Sequence, residues 1–243
     1  MTYCVGICVR SGLVFASDSR TNAGVDSVSE YSKMYSFGVP GERQFTICTA
    51  GNLATTQGVI AQIERDIRNE VETNLMTVRS VADAATYVGA LSVAQQEKHT
   101  GGGPVFEASF LLGGEVLGSK CRLLMIYPAG NYIESSAQTP YLQVGESKYG
   151  KPILDRVITT STPLEEAALC ALVSMESTIR SNLTVGPPVE LQVYQAGGLL
   201  PGQYTSFTAD STYWRKLKKS WNAELRSAFS RLPPVDWLER DSS

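Results

Sequence analysis

Thr2 follows the first methionine directly, and a small side chain in that position permits methionine removal. The exposed residue would then carry a hydroxyl and a free amine together. A threonine hydroxyl is a poor nucleophile until a base takes its proton, and an α-amine with a reference pKa of about 7.7–8.0 can do so near neutral pH. The apolar run 13–17 leads into Asp18 and a polar turn closed by Ala23-Gly24. A hairpin that starts at Tyr3 and returns at Asp18 brings this carboxyl back beside Thr2, although an aspartate there also suits capping its own turn. Lys33 stands between Tyr31 and Tyr35, and in a strand these three share one face while Ser32, Met34 and Ser36 take the other. Paired with Asp18, Lys33 stays charged, lowers the pKa of a nearby amine and stabilises negative charge on the Thr2 oxygen; unpaired, it snorkels past its aromatic neighbours. Thr49-Ala50-Gly51-Asn52 ends an apolar strand and opens a helix. Gly51 there is either a plain strand-to-helix turn or a point of close substrate approach whose N–H serves an oxyanion.

The remaining composition removes other chemistries. His99 is the single histidine, at a helix end running into Gly101-Gly102-Gly103, so an imidazole-based triad has one candidate in a place that suits a solvated side chain. The five cysteines are irregularly spaced within apolar stretches and form no CxxC pair; they read as small buried hydrophobes in a reducing cytoplasm, and no metal site is expected. A formal net charge of -3 gives no reason to expect nucleic acid or an anionic membrane as partner. The basic stretch from Trp214 to Trp221 reads as a solvated helix face beside packed tryptophans. No apolar run reaches the roughly 18 residues of a membrane span, and no signal-peptide pattern opens the chain.

The elements that must position these residues follow from periodicity. Strands are expected at 3–9, 13–17, 31–37 and 44–50, then helices at 52–74 and 80–98. Strands return at 107–113, 122–127 and 132–135, helices follow at 149–158 and 163–179, strands at 189–195 and 204–207, and a last helix at 212–229. That order suits one α+β domain over 1–243, a layered sandwich of two antiparallel sheets with helices outside. About 230–243 reads as a C-terminal tail, with Pro233-Pro234 and Trp237 suited to docking on a neighbouring subunit.

Together, Thr2, the hairpin into Asp18-Ser19-Arg20 with Ala23-Gly24, Lys33 and Thr49-Ala50-Gly51 resemble proteasome β-type subunits, among the N-terminal-nucleophile hydrolases, and within them the bacterial ancestral β-subunit (Anbu) group. The resemblance implies that family's four-layer αββα sandwich and a threonine-type peptidase working in a self-assembled ring or helical homo-oligomer. Peptides or unfolded proteins are the implied substrates, with no cofactor. It makes Thr2 nucleophile and base, Asp18 and Lys33 the tuning pair, and Gly51 the oxyanion donor. Asn22, Tyr31, Tyr35, Thr49 and Leu53 fall at substrate-pocket positions, which implies a preference for apolar or small neutral side chains, while ordinary core packing is the other reading of the two tyrosines.

The chain also departs from the pattern. Asp18 and Lys33 are one residue closer than is usual there, and the step to Gly51 is longer. The family's Gly-Ser-Gly is matched by Gly145-Glu146-Ser147, and a motif with Asp and Ser after Arg by Arg180-Ser181-Asn182-Leu183-Thr184, which makes Glu146, Ser147, Ser181 and Thr184 auxiliary candidates. A Glu146 facing the Thr2 amine would raise its pKa and oppose Lys33. The alternative function is therefore an assembly subunit with weak or no turnover.

Overall fold

A computed structural model describes residues 2–22, 28–98 and 103–235. Met1, the Ala23-Gly24 turn, His99 and Trp237 lie outside the described residues, as does the side chain of Asn22. The chain opens in a hairpin, β1 (Tyr3–Val9) and β2 (Gly12–Asp18), and continues as a short ribbon of β3 (Arg20–Asn22) and β4 (Val28–Glu30). The second hairpin is β5 (Met34–Val39) and β6 (Arg43–Gly51), followed by helices α1 (Leu53–Arg68) and α2 (Val81–Glu97). Then come β7 (Ala108–Val116), β8 (Arg122–Ile126), β9 (Tyr132–Glu134) and β10 (Tyr141–Gly145). Helices α3 (Lys151–Val157) and α4 (Leu164–Ser181), strands β11 (Val189–Gln195) and β12 (Gln203–Phe207) and helix α5 (Thr212–Ser230) complete the order.

The strands form two antiparallel five-stranded sheets, β10-β1-β2-β11-β12 and β5-β6-β7-β8-β9. The fold is the expected four-layer αββα sandwich. Strand β1 shows why its sequence is apolar at nearly every position rather than alternately. Tyr3, Val5 and Ile7 pack outward against Ala171, Met175 and Trp214 of α4 and α5, while Cys4 turns inward to meet Met34, Cys48 and Leu111 between the sheets. A strand covered on both faces has no solvent side to reserve for polar residues. The second sheet repeats this, with Phe45, Ile47, Phe110 and Leu112 packed against Val59, Ile63 and Val88 of α1 and α2.

Three expectations need correction. The helix expected over 52–74 ends at Arg68, because Asn69 caps it and Glu70 takes a left-handed φ of 51°. Beyond it the Asn74 side chain binds the Val71 carbonyl and the Met76 N–H, so a loop buries Leu75 and Val78, while Val71 is exposed. The strand expected over 31–37 begins only at Met34, since the Ser32 hydroxyl engages the backbone of Met34 and displaces the ladder. Tyr31, Lys33 and Tyr35 therefore share no face. Strand β10 and the β3–β4 ribbon had no counterpart among the expected elements, and β10 pairs directly with β1 beside residue 2.

Candidate active site

Residue 2 is fixed by backbone contacts on both sides. Its carbonyl accepts the Glu146 N–H at 2.7 Å, and the next amide, of Tyr3, donates to Asp18 Oδ1 at 3.0 Å. The hairpin register makes this possible, because Cys4 pairs with Ser17 and so brings Asp18 beside Tyr3. Strand β10 contributes Gly145, which has φ of 82°; a Cβ there would lie 1.9 Å from the Thr2 carbonyl oxygen. The close approach of the two backbones requires glycine.

Asp18 is fully buried, and each of its oxygens has donors. Oδ1 takes the Tyr3 N–H and the Lys33 ammonium at 2.7 Å, and Oδ2 takes the Gly186 N–H at 3.2 Å. Burial raises the Asp18 pKa, and the Lys33 ammonium, aided by the two N–H groups, limits the rise by favouring the charged carboxylate. Lys33, itself 5 % exposed, also donates to the Arg20 carbonyl at 2.6 Å. Two of its three ammonium hydrogens are thus assigned, leaving one for a group in the adjoining cavity.

That cavity, of about 290 Å³, is lined by Thr2, Lys33, Thr49, Gly51, Leu53 and Gly145 among others. Along β6 the Thr49 N–H reaches the Lys33 carbonyl at 2.9 Å, whereas the Asn52 N–H reaches the Glu107 carbonyl on the opposite side. Strand amides alternate in direction, so the Gly51 N–H points the same way as that of Thr49, toward the cavity. Gly51 has φ of 109°, and a Cβ there would stand 2.4 Å from the Glu107 carbonyl oxygen. Helix α1 begins two residues later, with the Asn52 side chain accepting the Thr55 N–H, so its positive end lies at the cavity edge.

The structure therefore brings together Thr2, Asp18, Lys33, Thr49, Gly51 and Leu53. Tyr31 is exposed, and Tyr35 donates its hydroxyl to the Ser32 carbonyl and packs toward the α1–α2 layer; neither lines the cavity. The Glu146 carboxyl is engaged by the Asn182 side chain at 3.1 Å and by the Lys148 N–H, and the Thr184 hydroxyl donates to the Asn182 oxygen at 2.6 Å. Ser147 offers its carbonyl to Gln143, and Ser181 ends α4, exposed. Sequence reasoning missed the donor Gly186, the Arg20 carbonyl and the Asn182 side chain as parts of the site. Gly186-Pro187-Pro188 is a legible turn, but its approach to Asp18 spans 168 residues and carries no local signal. Among the described residues no group of three His, Cys, Asp or Glu side chains is placed to hold a metal ion, and no helix is long and apolar enough to cross a membrane.

Two stacked antiparallel sheets between helix layers, with a buried Asp–Lys pair behind the second residue, define a proteasome-type subunit. The proteasome subunit family model matches residues 2–193, and the chain belongs to that family, in its Anbu (ancestral β-subunit) group. Anbu from Yersinia bercovieri is 45% identical over 96% of this chain and 99% of that one, with a TM-score of 0.92. A helical assembly of the Anbu complex from Pseudomonas aeruginosa gives 45% identity, coverage of 96% and 98%, and a TM-score of 0.92. An Anbu (Gly-1) mutant from Hyphomicrobium sp. strain MC1 is 41% identical over 97% and 99%, with a TM-score of 0.91. No curated protein sequence matches.

Proposed function

We propose that the chain is a threonine-type peptidase acting inside a homo-oligomeric particle, with Thr2 as the N-terminal nucleophile once Met1 is removed. The observation that carries this reading is the Lys33 ammonium, clamped by buried Asp18 and lining the same cavity as Thr2 and Gly51. The Thr2 amine takes the proton of its own hydroxyl as the oxygen attacks a peptide carbonyl. The Gly51 N–H receives the oxyanion, and the positive charge of Lys33 keeps the amine in its base form. Collapse of the intermediate breaks the C–N bond, passes the proton to the leaving amine and leaves an ester on Thr2. A water molecule, deprotonated by the same amine, then hydrolyses the ester. Thr49 and Leu53 shape the acyl side of the cavity and favour apolar or small neutral side chains.

The chain works as one domain, and the five unpaired cysteines favour a cytoplasmic setting. Assembly is supported by α5, whose one buried residue among those described is Trp214. Leu225, Phe229 and Leu232 form an exposed apolar stripe, next to an apolar groove of about 410 Å³ lined by Val157, Leu169 and Trp221 among others. A second copy of the chain is the occupant we assign to this face, because a solved structure 45% identical to the chain is described as a helical assembly. A stripe on one copy meeting the groove of the next is a heterologous contact, which repeats into a ring or a helix.

A panel of fluorogenic peptides, run beside Thr2→Ala, tests the reading together with the intact mass after treatment with an epoxyketone or β-lactone. Turnover and an N-terminal adduct in wild type alone are expected. Equal turnover by the two proteins, or retention of Met1, removes the peptidase. The second reading, an assembly subunit of weak or no turnover, draws on Glu146, which holds the Thr2 carbonyl with its own N–H and so brings a carboxyl, engaged by the Asn182 side chain, to the edge of the site.

A further inference from the structure

Asp18 fixes the ammonium of Lys33, but the backbone carrying that lysine belongs to neither sheet. The stretch 31–33 leaves the β3–β4 ribbon, where the Tyr31 N–H reaches the carbonyl of Ser19 just beyond β2, and joins the second sheet, where the Lys33 carbonyl takes the Thr49 N–H, each at 2.9 Å. Glu190 bridges the gap. It lies in β11 opposite Ser17 of β2 and Ser206 of β12, and is 4 % exposed. Its Oε2 accepts from the Ser17 and Ser19 hydroxyls, at 3.2 and 3.1 Å, and from the Lys33 N–H at 3.3 Å. Its Oε1 accepts from the Ser32 hydroxyl at 2.8 Å and the Tyr204 hydroxyl at 2.6 Å.

Among the described residues this carboxyl has no ion-pair partner. An apolar side chain would fill the same place at a lower desolvation cost, so core packing does not explain a glutamate. What the carboxyl does is tie the Ser32–Lys33 backbone to the sheet that also carries Asp18. Lys33 is then held at both ends by adjacent rows of one sheet, since Val189 pairs with Asp18 and Glu190 with Ser17. We propose that Glu190 is a positioning residue that sets Lys33 against Thr2. The proposal rests on the threonine-nucleophile reading above and adds the group that aims its cation.

Three variants separate positioning from general support. Glu190→Gln keeps an oxygen for the Lys33 N–H and an amide that can donate to Ser32 or Tyr204. Glu190→Asp withdraws the carboxyl by one methylene, and Glu190→Ala removes it. Acetylation of lysines by an N-hydroxysuccinimide ester, read by mass spectrometry, reports the seating of Lys33, and the rate of Thr2 acylation by a β-lactone reports its consequence. Lys33 should be strongly protected in wild type and Glu190→Gln. In Glu190→Asp and Glu190→Ala it should label several-fold faster, and Thr2 acylation should slow by roughly 10²-fold with little change in initial lactone affinity. A Glu190→Asp protein with native melting temperature, native Lys33 protection and native acylation rate would overturn the proposal. Should Glu190→Ala not fold, Ser32→Ala replaces it and should show the same changes in smaller degree. If wild type itself never reacts with the lactone, the threonine reading fails separately, and the Lys33 footprint alone decides the role of Glu190.

Discussion

Replacing Lys33 by methionine keeps most of its volume and removes the charge that faces a fully buried carboxyl. Removing one partner of a buried pair typically costs about 3–5 kcal/mol. Asp18 would retain the Tyr3 and Gly186 N–H donors, which argues for the lower end, about 3 kcal/mol. In a chain of this size each kcal/mol moves the melting temperature by about 2–4 °C, so a fall of roughly 6–12 °C is expected near pH 8. The sign of the pH dependence follows from Asp18. Burial already raises its folded pKa above the unfolded value, and loss of the ammonium raises it further. A group with a raised folded pKa contributes fully below its unfolded pKa, about 3.9, and loses that contribution as pH climbs toward the folded value. The deficit of Lys33→Met should therefore be small near pH 4–5 and grow toward pH 8. Scanning calorimetry at fixed protein concentration measures it, since the proposed assembly would make melting concentration-dependent. The double variant Asp18→Asn/Lys33→Met should recover most of the loss. A fall below 2 °C at pH 8, or an equal fall at pH 5 and 8, would refute the reasoning.

Gly145→Ala sets a methyl group against the Thr2 carbonyl in a left-handed conformation; a loss of at least about 1–3 kcal/mol in urea melts and disappearance of the lactone adduct are expected. Phe229→Asp should leave the circular dichroism spectrum unchanged and lower the assembly mass seen by sedimentation. Burial pushes the Cys8 thiol up to about 11 and Cys170 to about 12, and raises Cys48 and Cys121, so the thiolate share at pH 8 is small. Ellman's reagent should react slowly with the native protein at that pH and with all five thiols in guanidinium.

The opening hairpin was legible because β1 and β2 are local, apolar and joined by a tight turn, and their register alone brings Asp18 to Tyr3. Gly51 was legible as the hinge between β6 and α1. Strand β10 was not, because Tyr141-Leu142-Gln143-Val144-Gly145 is five residues at a sheet edge, preceded by proline and mixed in polarity. Its identity as a strand comes from pairing with β1, some 140 residues earlier, and no local pattern encodes that. The reading of Tyr31, Lys33 and Tyr35 as one strand face failed for a related reason. Hydrogen bonds from Ser32 and Lys33 to Glu190, far along the sequence, hold that segment out of the ladder. Local periodicity finds elements, whereas this site is completed by long-range polar contacts.

Lys33 and Gly51 approach the cavity from the chain segment that enters and leaves the second sheet, while Thr2, Asp18 and Gly145 ride on the first. Part of the layer joining them is the apolar cluster of Cys4, Phe15, Cys48, Leu111 and Leu123, which touches the site through the Cys4 thiol on the Thr49 carbonyl. The two sheets act as the jaws of a calliper, and a slide of about half an ångström between them changes the gap in which the proposed peptide substrate would react. Substitutions that reshape this greasy seam should therefore emerge from a screen as altered catalysts, even where they melt like the parent protein.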